Sequence, residues 1–219
     1  MAVEAAGDAA RTPEFWRKAT RDLGKRDPVL QKLIAAHPGL TLQSRGDAFT
    51  TLARAIVGQQ ISVKAAQSVW QKLVGAVTTI RPETIDQATP EQLRACGLSA
   101  GKASYLRDLA RHFIDGSLRI GDWPQQDDET IIAELVQVKG IGRWTAEMFL
   151  MFYLMRPDVL PLDDLGLRRA MNRAYGGGGP GAKPLSLAEM RQIASNWQPW
   201  RSVATWYLWR SIEPVPSDY

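Results

Sequence analysis

The sequence predicts an all-α fold, on three observations. Apolar residues recur at helical spacing along most of the chain. Ser, Asp and Pro residues suited to opening helices stand before most of these runs. Neither βαβ alternation nor a repeat of solenoid length is present. Taken in order, Phe15 to Leu23 and Pro28 to Ala36 read as two helices, the second closed by His37-Pro38-Gly39. Asp47 caps a helix from Ala48 to Gln59, and Ser62 caps another from Val63 to Val74. Thr78 to Gly97 reads as two short helices broken by Pro82 and Thr89-Pro90, and Ser99 opens a longer one to Ile114. Asp127 or Asp128 caps Glu129 to Val138, a glycine turn follows, and Trp144 to Met155 forms the next helix. Asp163-Asp164 opens Leu165 to Ala174, Ser186 caps Leu187 to Trp197, and a last helix runs from Pro199 to Ser211. The only β-like patch is Leu40-Thr41-Leu42. The expectation is roughly ten helices joined by short loops.

The 219 residues fit one large domain or two interlocked lobes, and a 45% hydrophobic, 23% charged composition supports a sizeable core. A net charge of +4 is compatible with a nucleic-acid partner but does not require one. The single cysteine, Cys96, excludes an intrachain disulfide framework and a four-cysteine metal cluster, and reads as a core thiol. With His37 and His112 as the only histidines, a histidine-built metal centre is not expected, and no metal is expected in catalysis. The apolar run Met148 to Met155 is far shorter than the about 18–20 residues a membrane span needs. Residues 1–11 carry early acids and no hydrophobic segment, so they read as a flexible tail rather than a secretion signal. Gly176 to Pro184 is glycine-rich and contains Lys183, but it lacks the preceding strand and the Gly-Lys-Ser/Thr of a phosphate loop, so it reads as a surface loop.

Function concentrates in Leu135 to Arg169. Val138-Lys139-Gly140-Ile141-Gly142 is a tight two-glycine hairpin between two helices. Gly140 and Gly142 can take backbone angles barred to other residues, Ile141 can tuck between the helices, and the exposed amides can form an anion nest at a helix N-terminus. Such a site grips a backbone phosphate without reading sequence. An ordinary helix-turn-helix connector would show the same glycines; the continuation through Thr145-Ala146 is the more specific feature.

Val138-Lys139-Gly140-Ile141-Gly142-Arg143-Trp144-Thr145-Ala146 followed by Leu160-Pro161-Leu162-Asp163-Asp164 resembles the helix–hairpin–helix DNA glycosylases, and within them the DNA-3-methyladenine glycosylase II group. Ala55 to Ser62, Cys96 to Leu109 and Trp197 to Ser202 extend the likeness, in the family's order, from about residue 45 to 211; the first forty-odd residues match weakly. The resemblance implies a two-lobed helical fold with the DNA cleft between lobes. Residues 46–162 would form the lobe holding the hairpin, and residues 12–45 would pack with 163–219 as the other.

It also implies roles. The family's catalytic aspartate maps onto Asp164; Asp163 is the expected N-cap of the following helix. A fixed carboxylate there would stabilise positive charge on the sugar and orient water. Lyase-competent relatives carry a nucleophilic lysine where this chain has Trp144, so base removal without strand cleavage is expected. Trp144 and Trp209 are the candidate walls of a pocket for the flipped base, with Met148 and Gln59 beside them, and Gln60 is the candidate wedge filling the vacated stack. Val138 to Arg143 and Thr145, with Lys102 and Arg201, are the candidate phosphate contacts, although each of these charges is also an ordinary surface residue. No cofactor is implied beyond a monovalent cation bridging Val138–Gly142 to a DNA phosphate. The expected partner is double-stranded DNA containing alkylated purines, acted on by a monomer in the cytoplasm or nucleoid, or in a nucleus. A different lesion class and a non-catalytic DNA-binding module remain the alternatives.

Overall fold

A computed structural model describes residues 13–43, 46–176 and 183–212. Among them the chain forms twelve α-helices and no strand. They are α1 (Trp16–Arg26), α2 (Pro28–Ala36), α3 (Ala48–Gly58), α4 (Val63–Val77), α5 (Pro82–Gln87) and α6 (Pro90–Ala95). There follow α7 (Ala100–Ile114), α8 (Asp128–Leu135), α9 (Arg143–Phe152), α10 (Leu165–Tyr175), α11 (Leu187–Ser195) and α12 (Arg201–Ile212). The helix starts follow local chemistry: the side chains of Asp47, Ser62, Ser99, Asp127 and Ser186 each accept an amide hydrogen bond from the first turn they precede. The β-like patch at Leu40–Leu42 is not a strand; Leu42 buries its side chain in a helical core instead. No described helix is long and apolar enough to cross a membrane. The flexible tail expected at residues 1–11, and all but the ends of the glycine-rich loop, lie outside the described residues.

The chain divides into two compact units. One holds described residues 13–43 and 150–212, with α1, α2, α10, α11 and α12. Its core is Trp16, Leu23, Leu30, Leu167, Met171, Trp197, Val203 and Tyr207. A buried acid, Asp27, ties its helices together. Oδ1 caps α2 by accepting from the amides of Val29 and Leu30, while Oδ2 accepts from the Tyr175 hydroxyl at 2.8 Å and Trp197 Nε1 at 3.0 Å. Residues 156–159 lie along the start of α12: Ser202 Oγ donates to the Arg156 carbonyl, the Ser202 amide donates to the Pro157 carbonyl, and the Val159 amide donates to Ser202 Oγ. Residues 150–162 fall in this unit, and the two units divide after Phe149, within α9.

The other unit spans 46–149. Helix α7 packs against α3, α5 and α6 at its centre. Leu52, Ile56, Leu73, Ile85, Leu106, Leu109, Trp123 and Leu135 are fully or almost fully buried. Trp123 meets the edge of Phe149 and donates its indole N–H to Glu134 at 2.9 Å, so a large apolar ring is buried without leaving its polar atom unsatisfied. Cys96 is buried, as expected, and burial pushes its thiol pKa up.

Candidate functional site

The hairpin connects α8 to α9. Val138 and Ile141 are buried and joined by the Ile141 amide donating to the Val138 carbonyl, while Lys139 and Gly142 are exposed. Gly140 has φ +84°, the left-handed region, and a Cβ built there would stand 2.3 Å from the Tyr105 ring. Gly142 needs neither freedom: its φ is not in that region, and a Cβ would meet nothing within 4 Å. The two glycines therefore differ. The first is required by the fold, and the second keeps an open face beside the start of α9. The amides of Gly140 and Gly142 make no hydrogen bond to other described residues.

Helix α7 braces this turn. Asp108 Oδ2 accepts from the Lys139 amide at 2.8 Å, and Oδ1 lies 3.5 Å from the exposed Lys139 ammonium. Gln59 Nε2 donates to the Gly140 carbonyl at 2.8 Å. Lys102, expected at a phosphate, instead turns inward: Nζ donates to the carbonyls of Val57 at 2.8 Å and Gln59 at 2.6 Å, and burial lowers its pKa. Arg143 is likewise engaged, bidentately with Glu129 and through Nε with Glu147 at 3.1 Å. The Glu129 bonds hold its guanidinium pKa above the ordinary value and lower that of Glu129. Thr145 and Met148 are buried and Trp144 half-buried, Met148 lying one turn beyond Trp144 on α9. Gln60, the candidate wedge, is exposed and has φ +58°, uncommon for a residue with a side chain. Exposed Ile61 and Val63 follow it.

The acid belongs to the other unit. Asp164, not Asp163, caps α10: its Oδ1 accepts from the Leu167 amide and from Trp209 Nε1 at 2.8 Å. Asp163 is exposed and, among the described residues, pairs with Arg168 at 3.4 Å. The correction has a clear cause, because only Asp164 is aligned with both the helix amide and the indole. Trp209 in turn stacks on Phe152, with ring centroids 6.0 Å apart and planes 10° from parallel. A Cβ at Gly166 would lie 3.0 Å from Asp164 Oδ1 and 3.5 Å from the Trp209 ring, so the glycine keeps this corner closely packed. A half-buried carboxylate, one oxygen fixed by two N–H donors, thus stands beside an aromatic pair. Arg201 contributes elsewhere, in a two-point pair with Asp158 at 2.8 and 2.9 Å. Sequence reading missed Phe152, Tyr105, Asp108, Glu129 and Glu147; the four-residue steps from Trp144 through Met148 to Phe152 were the one available signal for Phe152.

Residues 53–197 match the family model for HhH-GPD superfamily base excision DNA repair proteins. DNA-3-methyladenine glycosylase 1 of Schizosaccharomyces pombe is 32% identical over 186 residues, covering 83% of this chain and 80% of its own. A DNA-3-methyladenine glycosidase structure from Bacillus halodurans superposes with TM-score 0.79 at 32% identity, covering 88% of both chains. A Schizosaccharomyces pombe 3-methyladenine DNA glycosylase in complex with abasic DNA gives TM-score 0.74 at 30% identity, covering 92% of this chain and 98% of that one. Several bacterial relatives are longer, the chain spanning about two thirds of their length. With the family model and the helical architecture both matched, the chain belongs to the helix–hairpin–helix superfamily of base-excision DNA repair proteins.

Proposed function

We propose that this protein is a monofunctional DNA glycosylase that removes alkylated purines of the 3-methyladenine and 7-methylguanine type, acting as a monomer on double-stranded DNA. The observation that carries this reading is Asp164, whose Oδ1 is fixed by Trp209 and the first turn of α10 beside the Trp209–Phe152 pair. Once the base is flipped out, cleavage breaks the bond between its ring nitrogen and the anomeric carbon, and the sugar gains positive charge. A preorganised carboxylate stabilises that charge, and removing one such electrostatic group typically costs about 10²–10³ in rate. Water adds its oxygen to the anomeric carbon and loses a proton towards Asp164 and solvent. An alkylated purine carries positive charge before cleavage and leaves as a neutral base, so no strong acid is required. An aromatic face such as that of Trp209 would hold a cationic base by about 0.5–2 kcal/mol.

Trp144 has no amine to form a Schiff base with the sugar, which supports an intact strand as product. The hairpin would take a backbone phosphate on the Gly142 side. The carbonyls of Val138 and Gly140, each of which accepts one N–H bond, would be the groups to hold a monovalent cation there, and the ion would supply positive charge towards that phosphate. The test is chromatography of bases released from methylated duplex DNA. Wild-type protein should release methylated purines and leave alkali-labile abasic sites, while Asp164→Asn should bind the same DNA without releasing base. Normal release by Asp164→Asn would remove Asp164 from the chemistry; release of another lesion alone would reassign the substrate.

A further inference from the structure

Helix α7 touches both loops that the reading above places at DNA. At successive three-residue steps, Lys102 holds the carbonyls of Val57 and Gln59, Tyr105 packs where Gly140 lacks a side chain, and Asp108 holds the Lys139 amide. A fourth contact closes the circuit, because Gln59 Nε2 reaches the Gly140 carbonyl across the two loops. Lys102 is an odd choice for its position. A cation in the first turn of α7 stands at the positive end of that helix's dipole, and burial further disfavours the charged amine. What offsets this is the far end of its reach. Val57 lies in the last turn of α3 and Gln59 is its C-cap, where carbonyls lack helical partners and the dipole is negative. The bonded carbonyl of Gln59 is joined by one peptide link to Gln60, the exposed residue held at φ +58°.

We propose that Lys102 is a positioning residue for base displacement, latching the Gln59–Gln60 loop to the hairpin so that phosphate capture and insertion of Gln60 occur in one fixed register. The proposal rests on the glycosylase reading for the identity of the wedge. Lys102 then carries no phosphate itself; its ammonium is engaged by protein carbonyls, and its effect falls on the step that opens the duplex.

The experiment compares wild type with Lys102→Met, which keeps the aliphatic stem but removes the donors, Lys102→Arg, which restores them, and Gln59→Met, which breaks the link to Gly140 from the other side. Circular dichroism confirms folding, and Gln59→Met stands in should Lys102→Met not fold. Extrusion is read without chemistry, as the fluorescence rise of 2-aminopurine in a duplex bound by proteins that also carry Asp164→Asn. Single-turnover release is read on methylated duplex and methylated single strands. Lys102→Met should lower extrusion and duplex release by about 10-fold or more and leave single-strand release within about threefold. Affinity for intact duplex should stay within about twofold, and Lys102→Arg should recover most of the loss. Equal loss on duplex and single strand would overturn the proposal. So would a salt dependence of duplex affinity shallower by about 0.9 in slope, the signature of one lost phosphate contact. If wild type extrudes 2-aminopurine but releases no methylated base, the glycosylase reading fails and the latch stands.

Discussion

The two hairpin glycines make a paired prediction in which one substitution injures the fold and the other injures only binding. Gly140→Ala forces a side chain into the left-handed region, at about 1–2 kcal/mol. It also places a methyl 2.3 Å from the half-buried Tyr105 ring, an overpacking cost of about 1–3 kcal/mol. The sum is about 2–5 kcal/mol, or roughly 4–20 °C in melting temperature at about 2–4 °C per kcal/mol for a chain of this size. Gly142→Ala meets no atom within 4 Å and no unfavourable φ, so its stability should change by less than about 0.5 kcal/mol. Its methyl would nevertheless stand where the proposed phosphate approaches the α9 amides. Loss of one hydrogen bond to a charged group is about 1.5–3 kcal/mol, which is roughly a 10- to 150-fold weaker Kd. Thermal unfolding by circular dichroism and duplex titration by fluorescence anisotropy separate the two effects. A Gly142→Ala variant that melts as early as Gly140→Ala, or that binds duplex as tightly as wild type, would refute the assignment of open space at Gly142 to a ligand.

Further outcomes follow from the same contacts. Asp164→Asn should keep its melting temperature within about 2 °C, since asparagine caps helices as well as aspartate does and its carbonyl can still accept from Trp209; differential scanning fluorimetry checks this. Trp209→Phe should retain the stack on Phe152 but lose the indole donor to Asp164, lowering single-turnover base release by about tenfold while DNA affinity holds. Tyr175 sets a pH dependence: burial, with Asp27 alongside, pushes its phenol pKa above the ordinary value of 10.0. The folded protein therefore keeps that proton where the unfolded chain releases it, and the contribution is complete below pH 10 and lost as pH rises beyond it. Urea unfolding between pH 9 and 11 should show wild type losing up to about 1.4 kcal/mol per pH unit more than Tyr175→Phe. An identical slope would place the phenol outside the linkage.

Helix starts were legible in the sequence because their causes are local: a Ser or Asp side chain bonds an amide three residues on, as Asp47, Ser62, Ser99 and Ser186 do. Helix ends were less so. α4 continues through Gly75 and Ala76 to Val77, three residues past the expected end at Val74, and stops where Thr78 turns to positive φ. Asp163 and Asp164 are equal candidates for a cap in any local reading; what separates them is an indole 45 residues away. The charges behaved the same way. Lys102, Arg143 and Arg201 are all candidate phosphate ligands in sequence, yet the partners of Lys102 stand 43 and 45 residues off and that of Arg201 43, and of the partners of Arg143 helical periodicity announces Glu147, four residues on, but not Glu129. The hairpin turn is a local two-glycine pattern and Asp164 was singled out by resemblance to a family, whereas bonds that orient them, Gln59 to Gly140 and Trp209 to Asp164, are long-range.

The double duty of Asp164 Oδ1 has a temporal consequence. Ordering a charged side chain costs conformational entropy whenever it occurs, and here it occurs as α10 closes on its cap during folding rather than each time DNA arrives. The carboxylate enters every encounter already aimed, so its freezing should add nothing to the activation entropy of turnover. It follows that loosening Asp164 without changing its charge, as through Gly166→Ala at the neighbouring corner, should appear as a more unfavourable activation entropy in an Eyring plot while the enthalpy stays nearly constant.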